Sequence, residues 1–580
     1  MNTRYYISDT ALSERFPLYT RANVGEVFPD PVTPLTSTGF MFRSELGWRE
    51  AWERMGAFGL DEFPAEEFCQ LGVIGGYCYL NASLIRLFGE RAPGLTWKDM
   101  DDQFFGAQPG IPPYEQMPGD ADEAATGKIG ETFGWALSLT SLADLDELTA
   151  DRAMTKQMRA ERADLAELSN VELWAYADRL APVHQELFSH HIFTTYMATV
   201  PVGIISGVAT AVGRPDLVMP IIGGIGHVDS AEPSHVMWEL GRQVSASVEL
   251  TDAFEAGVDG LLDRLAASTS DDVAAFRTAF DEFVYEYGSR GPNEWETRSP
   301  TWETDPQLAL SAIDRMRLSP ETADPSAHHD IRAAERATAS AELLAMVAGD
   351  AETHGQLSAA IASSAAWLPG RERTKTNNIR MLHEIRMPLR ELGRRMVAAG
   401  GFDEIEDFGM VLHDEYPGLL ADPTSLLDTV RQRRADYNDL LKRDAQFIFI
   451  GEPDDPATWA VRGGDAGVGL TVGETLQGIP GCPGSATGRA RVILDSHDPA
   501  ALEPGDILVA PITDPSWTPL FVPSAAVVVD VGAPLSHAII VSRELGIPCV
   551  VSATGATQRI PDGAIIRVDG DIGAVEILEL

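Results

Sequence analysis

The apolar pattern changes period once along the chain, near residue 470, and this change constrains the fold more than any other feature. Up to about residue 445, apolar residues recur every three or four positions, as in "TADRAMTKQMRAERADLAELSNVELWAYADRLAPVHQELF", "RAAERATASAELLAMVAG" and "MLHEIRMPLRELGRRMVAAG". That spacing predicts amphipathic helices. Beyond it come short runs rich in Val and Ile: "GRARVIL", "DILVA", "AAVVVD", "PCVVS", "AIIRVD" and "AVEIL", each bounded by Gly, Pro or Asp. Such runs predict strands, and one helix, about Ser536 to Leu545, interrupts them. The expected fold is multidomain: a mostly α-helical domain over residues 1–450, then a small α/β domain over 470–580. Between them "GEPDDPATWAVRGGDAGVG", Gly451 to Gly469, is rich in Gly, Pro and Asp and predicts a flexible linker. A chain of 580 residues exceeds what one core holds, which fits this division.

Charge and cysteine usage exclude several functions. Asp and Glu number 87 against 44 Lys and Arg, a formal charge of −43. Such a surface repels phosphate backbones, so no nucleic-acid partner is expected. Four cysteines without CxxC spacing support neither a disulfide framework nor a zinc site, and no metal site is expected. The opening "MNTRYYISDT" has no apolar core of a signal peptide. The uncharged stretch Ile192 to Gly213 is long enough to test as a membrane span, but Pro201, glycines and threonines interrupt it. A buried helix fits it better. The expected setting is cytoplasmic, with no membrane partner.

One histidine draws attention. In "PLSHAIIVSRELGIP", Ser536 stands where a helix cap is needed, and Gly546 with Pro548 can end the helix. His537 then occupies the first turn, where free N–H groups and the helix dipole favour an anion and disfavour imidazolium. A neutral, nucleophilic ring beside an anion site suits phosphoryl carriage. A histidine that only caps or packs has the same local sequence.

The surrounding hundred residues resemble the phosphohistidine swivelling domain of the phosphoenolpyruvate-utilising enzyme family. Gly481, Pro483, Gly484 and Gly488 match its opening turn, "TDPSWTPLF" its middle motif, "GAPLSHAIIVSRELGIP" its active-site segment and "VDGDIGAV" its closing turn. Ala533 stands where a second glycine is usual. The resemblance puts His537 at the phosphorylated position, Arg543 at the family's arginine, and Ser536, Arg543 and Thr513 among the groups that bind the cofactor phosphate. Upstream, "YTRANVGEVFPDPVTPLT" (Tyr19 to Thr36), "GGYCYLN" (Gly75 to Asn81), "YGSRGPNEWETRSPTWETDP" (Tyr287 to Pro306) and "RERTK" (Arg371 to Lys375) are similar to the substrate-binding domain of rifampicin phosphotransferase-like dikinases. Ser289 replaces a family histidine. In those proteins an ATP-grasp domain precedes this region. Here the similarity begins near residue 19, which implies that a separate ATP-grasp protein binds ATP and Mg²⁺. The eight strand–helix alternations of a phosphoenolpyruvate-binding barrel are not in the pattern, so that substrate is not expected.

Arg371 and Lys375 lie four apart and would share a helix face. In a chain with five lysines, such a pair suits a clamp for a phosphoryl group in flight; a solvated face is the alternative. Arg290, beside glycines, is a further cation. Glu294 is the candidate carboxylate that assists the acceptor hydroxyl, or else it pairs with Arg290. The apolar stretch from Ile192, with "VMPIIGGIG" and "HVMWEL", either lines a pocket for an aromatic alcohol or forms core. The expected function is the phosphotransferase component of a split dikinase. It carries the β-phosphoryl group of ATP on His537 to the hydroxyl of a small, apolar, phenol-like acceptor. Two alternatives stand beside it: a rifamycin-like acceptor, and a catalytically inactive ligand-binding or regulatory relative.

Overall fold

The computed structural model describes residues 6–105, 110–117, 119–226, 228–321, 324–462, 469–494, 502–513, 517–532 and 536–580. Ala533, Asp514 to Ser516 and 463–468 of the expected linker lie outside the described residues. Two bodies emerge, a large helical one and a C-terminal α/β one, as the change of period predicts.

Three long helices form the frame of the helical body: Phe42–Met55, Ala181–Ala211 and the 48-residue Ala351–Ala398. The last begins cleanly because Asp350 caps it, accepting from the Glu352 and Thr353 amides. The helix Ala181–Ala211 packs against both of the others. By length and composition the segment 170–211 passes as a membrane span, yet 50% of its most apolar window is buried inside the protein.

A small sheet, not foreseen in the helical pattern, ties the ends of this body together. Its strands β1 (Leu18–Thr20), β2 (Leu71–Ile74), β3 (Tyr77–Asn81) and β4 (Ile448–Ile450) run in the order β2-β3-β1-β4, all antiparallel. The β2–β3 turn is Gly75-Gly76, with φ of 57° and 78°, the left-handed pair a two-residue hairpin needs. A side chain at Gly75 would also collide with Trp459, 2.5 Å from the added Cβ. Tyr77 donates to the Leu440 and Arg443 carbonyls at 2.8 and 2.9 Å, and Tyr79 to that of Gln446 at 2.7 Å. These bonds account for the "GGYCYLN" segment.

The same contacts amend the linker expected over 451–469. Within 451–462, Pro453, Pro456 and Trp459 are buried and anchor a segment whose other residues are mostly exposed. Trp459 is buried against Tyr77, its indole N–H donates to the Asp454 carbonyl, and Arg462 pairs with Asp30 at 2.9 Å. Its Gly/Pro/Asp composition read as a linker because a single buried tryptophan leaves no periodic trace.

The C-terminal body is an eight-stranded mixed sheet. Strands β5 (Thr475–Gln477), β6 (Ile479–Cys482), β7 (Ser485–Val492), β8 (Ile507–Ala510), β9 (Ala526–Val529), β10 (Cys549–Val551), β11 (Ile565–Asp569) and β12 (Ala574–Glu579) lie in the order β5-β12-β11-β7-β8-β9-β10-β6. All six expected strands are present, and β5 and β6 are additional. In the parallel centre β7-β8-β9-β10, strands β8, β9 and β10 are buried along their whole length, which explains their apolar, Val-rich runs. The helix His537–Leu545 follows β9 and ends at Gly546 in the left-handed conformation, φ 71°. A short helix, Thr518–Phe521, docks on the helices Glu232–Ala246 and Pro306–Arg317. There Leu520 and Phe521 share one core with Met237, Trp238 and Leu310.

Replacing Trp459 with Ala is expected to cost about 3 kcal/mol, the scale for a buried tryptophan. Chemical denaturation measures the loss, and limited proteolysis should cut within 451–462 in the variant but not in the parent.

Candidate active site

Docking of the two bodies encloses His537. The residue is 7% exposed, and its ring lies between two threonine hydroxyls. Nδ1 is 3.2 Å from Thr513 Oγ1 and Nε2 3.1 Å from Thr518 Oγ1. In a neutral imidazole one nitrogen donates and the other accepts, and hydroxyls satisfy either role. Phe521 packs edge-on against the ring at 5.8 Å. Burial first, then the charges of Lys375, Arg290 and Arg371, push the His537 pKa well below that of an ordinary histidine. The ring is therefore neutral at pH 7.

The helix start differs from expectation in one respect. Ser536 occupies the cap position with extended backbone, φ −68° and ψ 157°, but its hydroxyl makes no capping bond. It borders the cavity beside His537 and is without a hydrogen-bond partner among the described residues. The His537 amide instead donates to Glu26 Oε2, 3.4 Å away and 511 positions distant in sequence. A carboxylate thus supplies the anion that the helix N-terminus favours.

Glu26 was not singled out in the sequence. Its loop follows β1 and is fixed by Arg21, whose guanidinium donates to the carbonyls of Cys78 and Phe28. Asn23 takes φ 62° and ψ −55°, the centre of a γ-turn closed by the Val24 amide on the Ala22 carbonyl at 2.7 Å, and the short helix Val24–Val27 then presents Glu26 to His537. The signal was the "YTRANVGEV" run, whose buried arginine and turn-forming asparagine serve this one placement. Burial pushes the Glu26 carboxyl up to about 7, against the opposing pull of the His537 amide, Arg371 and Lys375.

Arg371 and Lys375 project from the helix Ala351–Ala398 into the same cavity, one helical turn apart. Arg290 and Glu294 do not border it. Arg290 Nε is 2.8 Å from Glu294, and Lys375 Nζ is 3.9 Å from the same carboxylate. Glu294, 1% exposed, therefore sits behind the cations as their counter-charge. Its loop is clamped by the buried Arg386, which donates to the carbonyls of Glu294, Glu296 and Thr297. Arg543 is elsewhere: it faces a separate cavity with Arg332, Cys482 and Gly484, so a contact with phosphate at His537 has no support in this arrangement. His191, also unforeseen, borders the site, bonds Thr374 Oγ1 at 3.0 Å, and is held near pKa 3 by burial, Arg371 and Lys375.

The cavity has a volume of about 160 Å³, with a polar end at His537 and an apolar remainder. Trp48, Phe88, Phe188, Tyr196 and Trp295 supply most of the aromatic wall. The apolar stretch starting at Ile192 divides between two environments. Ile192, Tyr196 and Thr199 line the cavity, whereas Ile205 and Ala209 join Ile221 and Leu343 in a separate core. The "HVMWEL" segment lies in the docking core instead.

Mg-ATP does not fit this cavity. Its bordering carboxylates are Glu26 and Glu372, the second held by Arg371 at 3.3 Å. Among the described residues no cluster of three or more His, Cys, Asp or Glu could hold a metal ion. What the arrangement does fit is an anion on His537 facing two cations, next to an apolar compartment.

Comparison with known proteins agrees with this geometry. Residues 189–372 match the rifampicin phosphotransferase fourth domain, and residues 502–573 match the mobile domain of PEP-utilising enzymes. An uncharacterized protein of Mycobacterium tuberculosis is 33% identical over 321 residues, covering 55% of this chain and 33% of the relative. Rifampicin phosphotransferase of Streptomyces sviceus is 32% identical over 336 residues, 56% of this chain and 37% of its own length. The prodigiosin synthesizing transferase of Serratia marcescens is 30% identical over 328 residues, 52% of this chain and 34% of its own. The chain thus spans about a third of the length of these relatives.

The low proton affinity of His537 has a measurable consequence. Below about pH 6.5 the unfolded chain protonates this residue while the folded protein resists, so its contribution is full above that pH and is lost as pH falls. The stability of the parent relative to His537→Asn should therefore decline between about pH 7 and pH 5, as urea unfolding at each pH would show.

Proposed function

This chain belongs to the PEP-utilising enzyme family, and from that premise we propose that it transfers a phosphoryl group from His537 to the hydroxyl of a small phenol-like acceptor. One observation carries the reading: the family's histidine is docked, neutral and buried, at the cationic end of an aromatic-walled cavity. The volume supports the acceptor class, since a dry cavity of about 150 Å³ holds one benzene ring. A single aromatic ring thus fills the space, while a rifamycin-like acceptor exceeds it unless the walls move.

The chemistry follows from the side chains. The neutral imidazole offers a lone pair to an incoming phosphoryl group, dividing one hard transfer into two easier ones. Arg371 and Lys375 face the carried phosphoryl group and stabilise the charge that spreads over its oxygens during transfer. Glu294, paired with Arg290, holds Lys375 from behind, and Glu372 pairs with Arg371. The aromatic wall orients the acceptor ring and excludes water, which would otherwise take the phosphoryl group.

The donor half belongs to another surface. We assign it to an ATP-grasp protein that binds ATP and Mg²⁺ and passes the β-phosphoryl group to His537 in the cytoplasm. Because the histidine is sealed in the docked arrangement, loading it requires the C-terminal body to leave its seat. That motion is the swivel that the family resemblance implies.

A test need not wait for the partner. Phosphoramidate, a small chemical phosphoryl donor, should place an acid-labile, base-stable phosphate on the intact protein, and His537→Ala should abolish it. Adding phenol to the loaded protein should release phenyl phosphate. Arg371→Ala or Lys375→Ala should load normally but transfer about 100-fold more slowly, the scale for losing one charge-stabilising donor. A loaded parent protein that releases only inorganic phosphate, whatever phenol is offered, refutes the acceptor assignment.

A further inference from the structure

Transfer from nitrogen to oxygen needs somewhere for the acceptor's proton to go, and the charged groups around the cavity differ sharply in whether they can take it. Arg371 and Lys375 are cations with no lone pair to offer at neutral pH. His191 holds its proton too weakly, because burial and those two cations lower its pKa to about 3. A useful general base has a proton affinity near the working pH. Glu372 faces Arg371, and Glu294 lies behind the cations rather than on the cavity. The His537 ring itself carries the phosphoryl group when the acceptor arrives.

Glu26 differs from all of these. It borders the cavity, and its Oε2 lies 3.4 Å from the His537 amide. It faces Arg371, Lys375 and Glu372 from the helix Ala351–Ala398, His191 from the helix Ala181–Ala211, and His537 from the docked body, with Arg21 behind its own loop. Arg21 and Asn23 hold that loop rigidly, so the carboxylate is placed by the fold rather than by chance rotamer choice.

The geometry points to Glu26 as the proton acceptor for the incoming hydroxyl, a role that rests on the phosphotransfer reading above. As the acceptor oxygen bonds to phosphorus, the phosphorus–nitrogen bond breaks and its electron pair returns to the imidazole. The hydroxyl proton moves to the Glu26 carboxylate and from there to the imidazole nitrogen. A carboxylate and a neutral histidine are both restored, and the acceptor leaves as a phosphate monoester. The raised pKa of Glu26, about 7, matches this two-way traffic.

Two single-ring acceptors of different acidity separate this role from simple packing. At about pH 8 phenol keeps its proton and needs a base, whereas para-nitrophenol is largely ionised and does not. With full-length protein loaded by phosphoramidate, Glu26→Gln is expected to slow transfer to phenol about 100-fold and to leave transfer to para-nitrophenol nearly unchanged. The parent's rate with phenol should rise with pH through the ionisation of Glu26, and the variant's should be flat. Glu26→Asp, which keeps a carboxylate, should retain a pH-dependent but slower transfer, and it serves if the glutamine variant folds poorly. Equal slowing with both acceptors, or no slowing with phenol, overturns the assignment and leaves the phosphotransfer reading standing. Failure of the loaded parent to phosphorylate either phenol overturns both.

Discussion

Docking of the C-terminal body takes His537 out of water, and the loss of water sets the charge of the ring, its orientation and what it can meet. Three cations lie near it, and each disfavours imidazolium. In the proposed reaction the sign of the interaction reverses when a phosphoryl group is attached, because its oxygens bring negative charge to the ring. On that proposal the array that keeps the empty ring neutral is also the array that would hold the loaded one. The low dielectric of the sealed site strengthens both effects.

The seal itself is apolar. Leu520 and Phe521 of the C-terminal body share a core with Met237, Trp238 and Leu310 of the helical body. Separating such faces exposes their apolar area to water, which costs free energy in proportion to that area. A body that travels from this seat must find another apolar surface of comparable worth, or the docked state dominates the population. In the proposed reaction that second surface belongs to the donor partner, whose binding shifts the balance between the two positions.

Local signals carried far in this sequence. The change of period gave the two bodies, and the Val and Ile runs gave the six strands that surround the histidine helix. The spacing of Arg371 and Lys375 placed both on one helix face, and both reach the cavity. Features that depend on distant contacts were not legible. Glu26 meets His537 across 511 positions, and nothing in its neighbourhood advertises that encounter. Glu294 looked like a pocket acid, but Arg386 clamps its loop so that it supports the cations instead. Residues 451–462 looked like a linker because composition records flexibility and misses one tryptophan seated on a Gly-Gly turn. Ser536 sits at the cap position without capping, because the anion there comes from another part of the chain.

The polarity gradient of the cavity also bears on the competing reaction with water. A phosphoryl group on nitrogen is labile, and water is small enough to reach it wherever an acceptor is. Aromatic walls offer water few partners, so an apolar cavity of this size gains little by filling with it. In the proposed reaction an aromatic acceptor would fill the same space with dispersion contacts and turn its single polar group toward Arg371 and Lys375. Selection for an apolar ring and exclusion of water are then one property of the wall. Enlarging the cavity at Trp48 or Phe188 would loosen both together, because the space that admits a larger acceptor also admits the water that discharges the carrier.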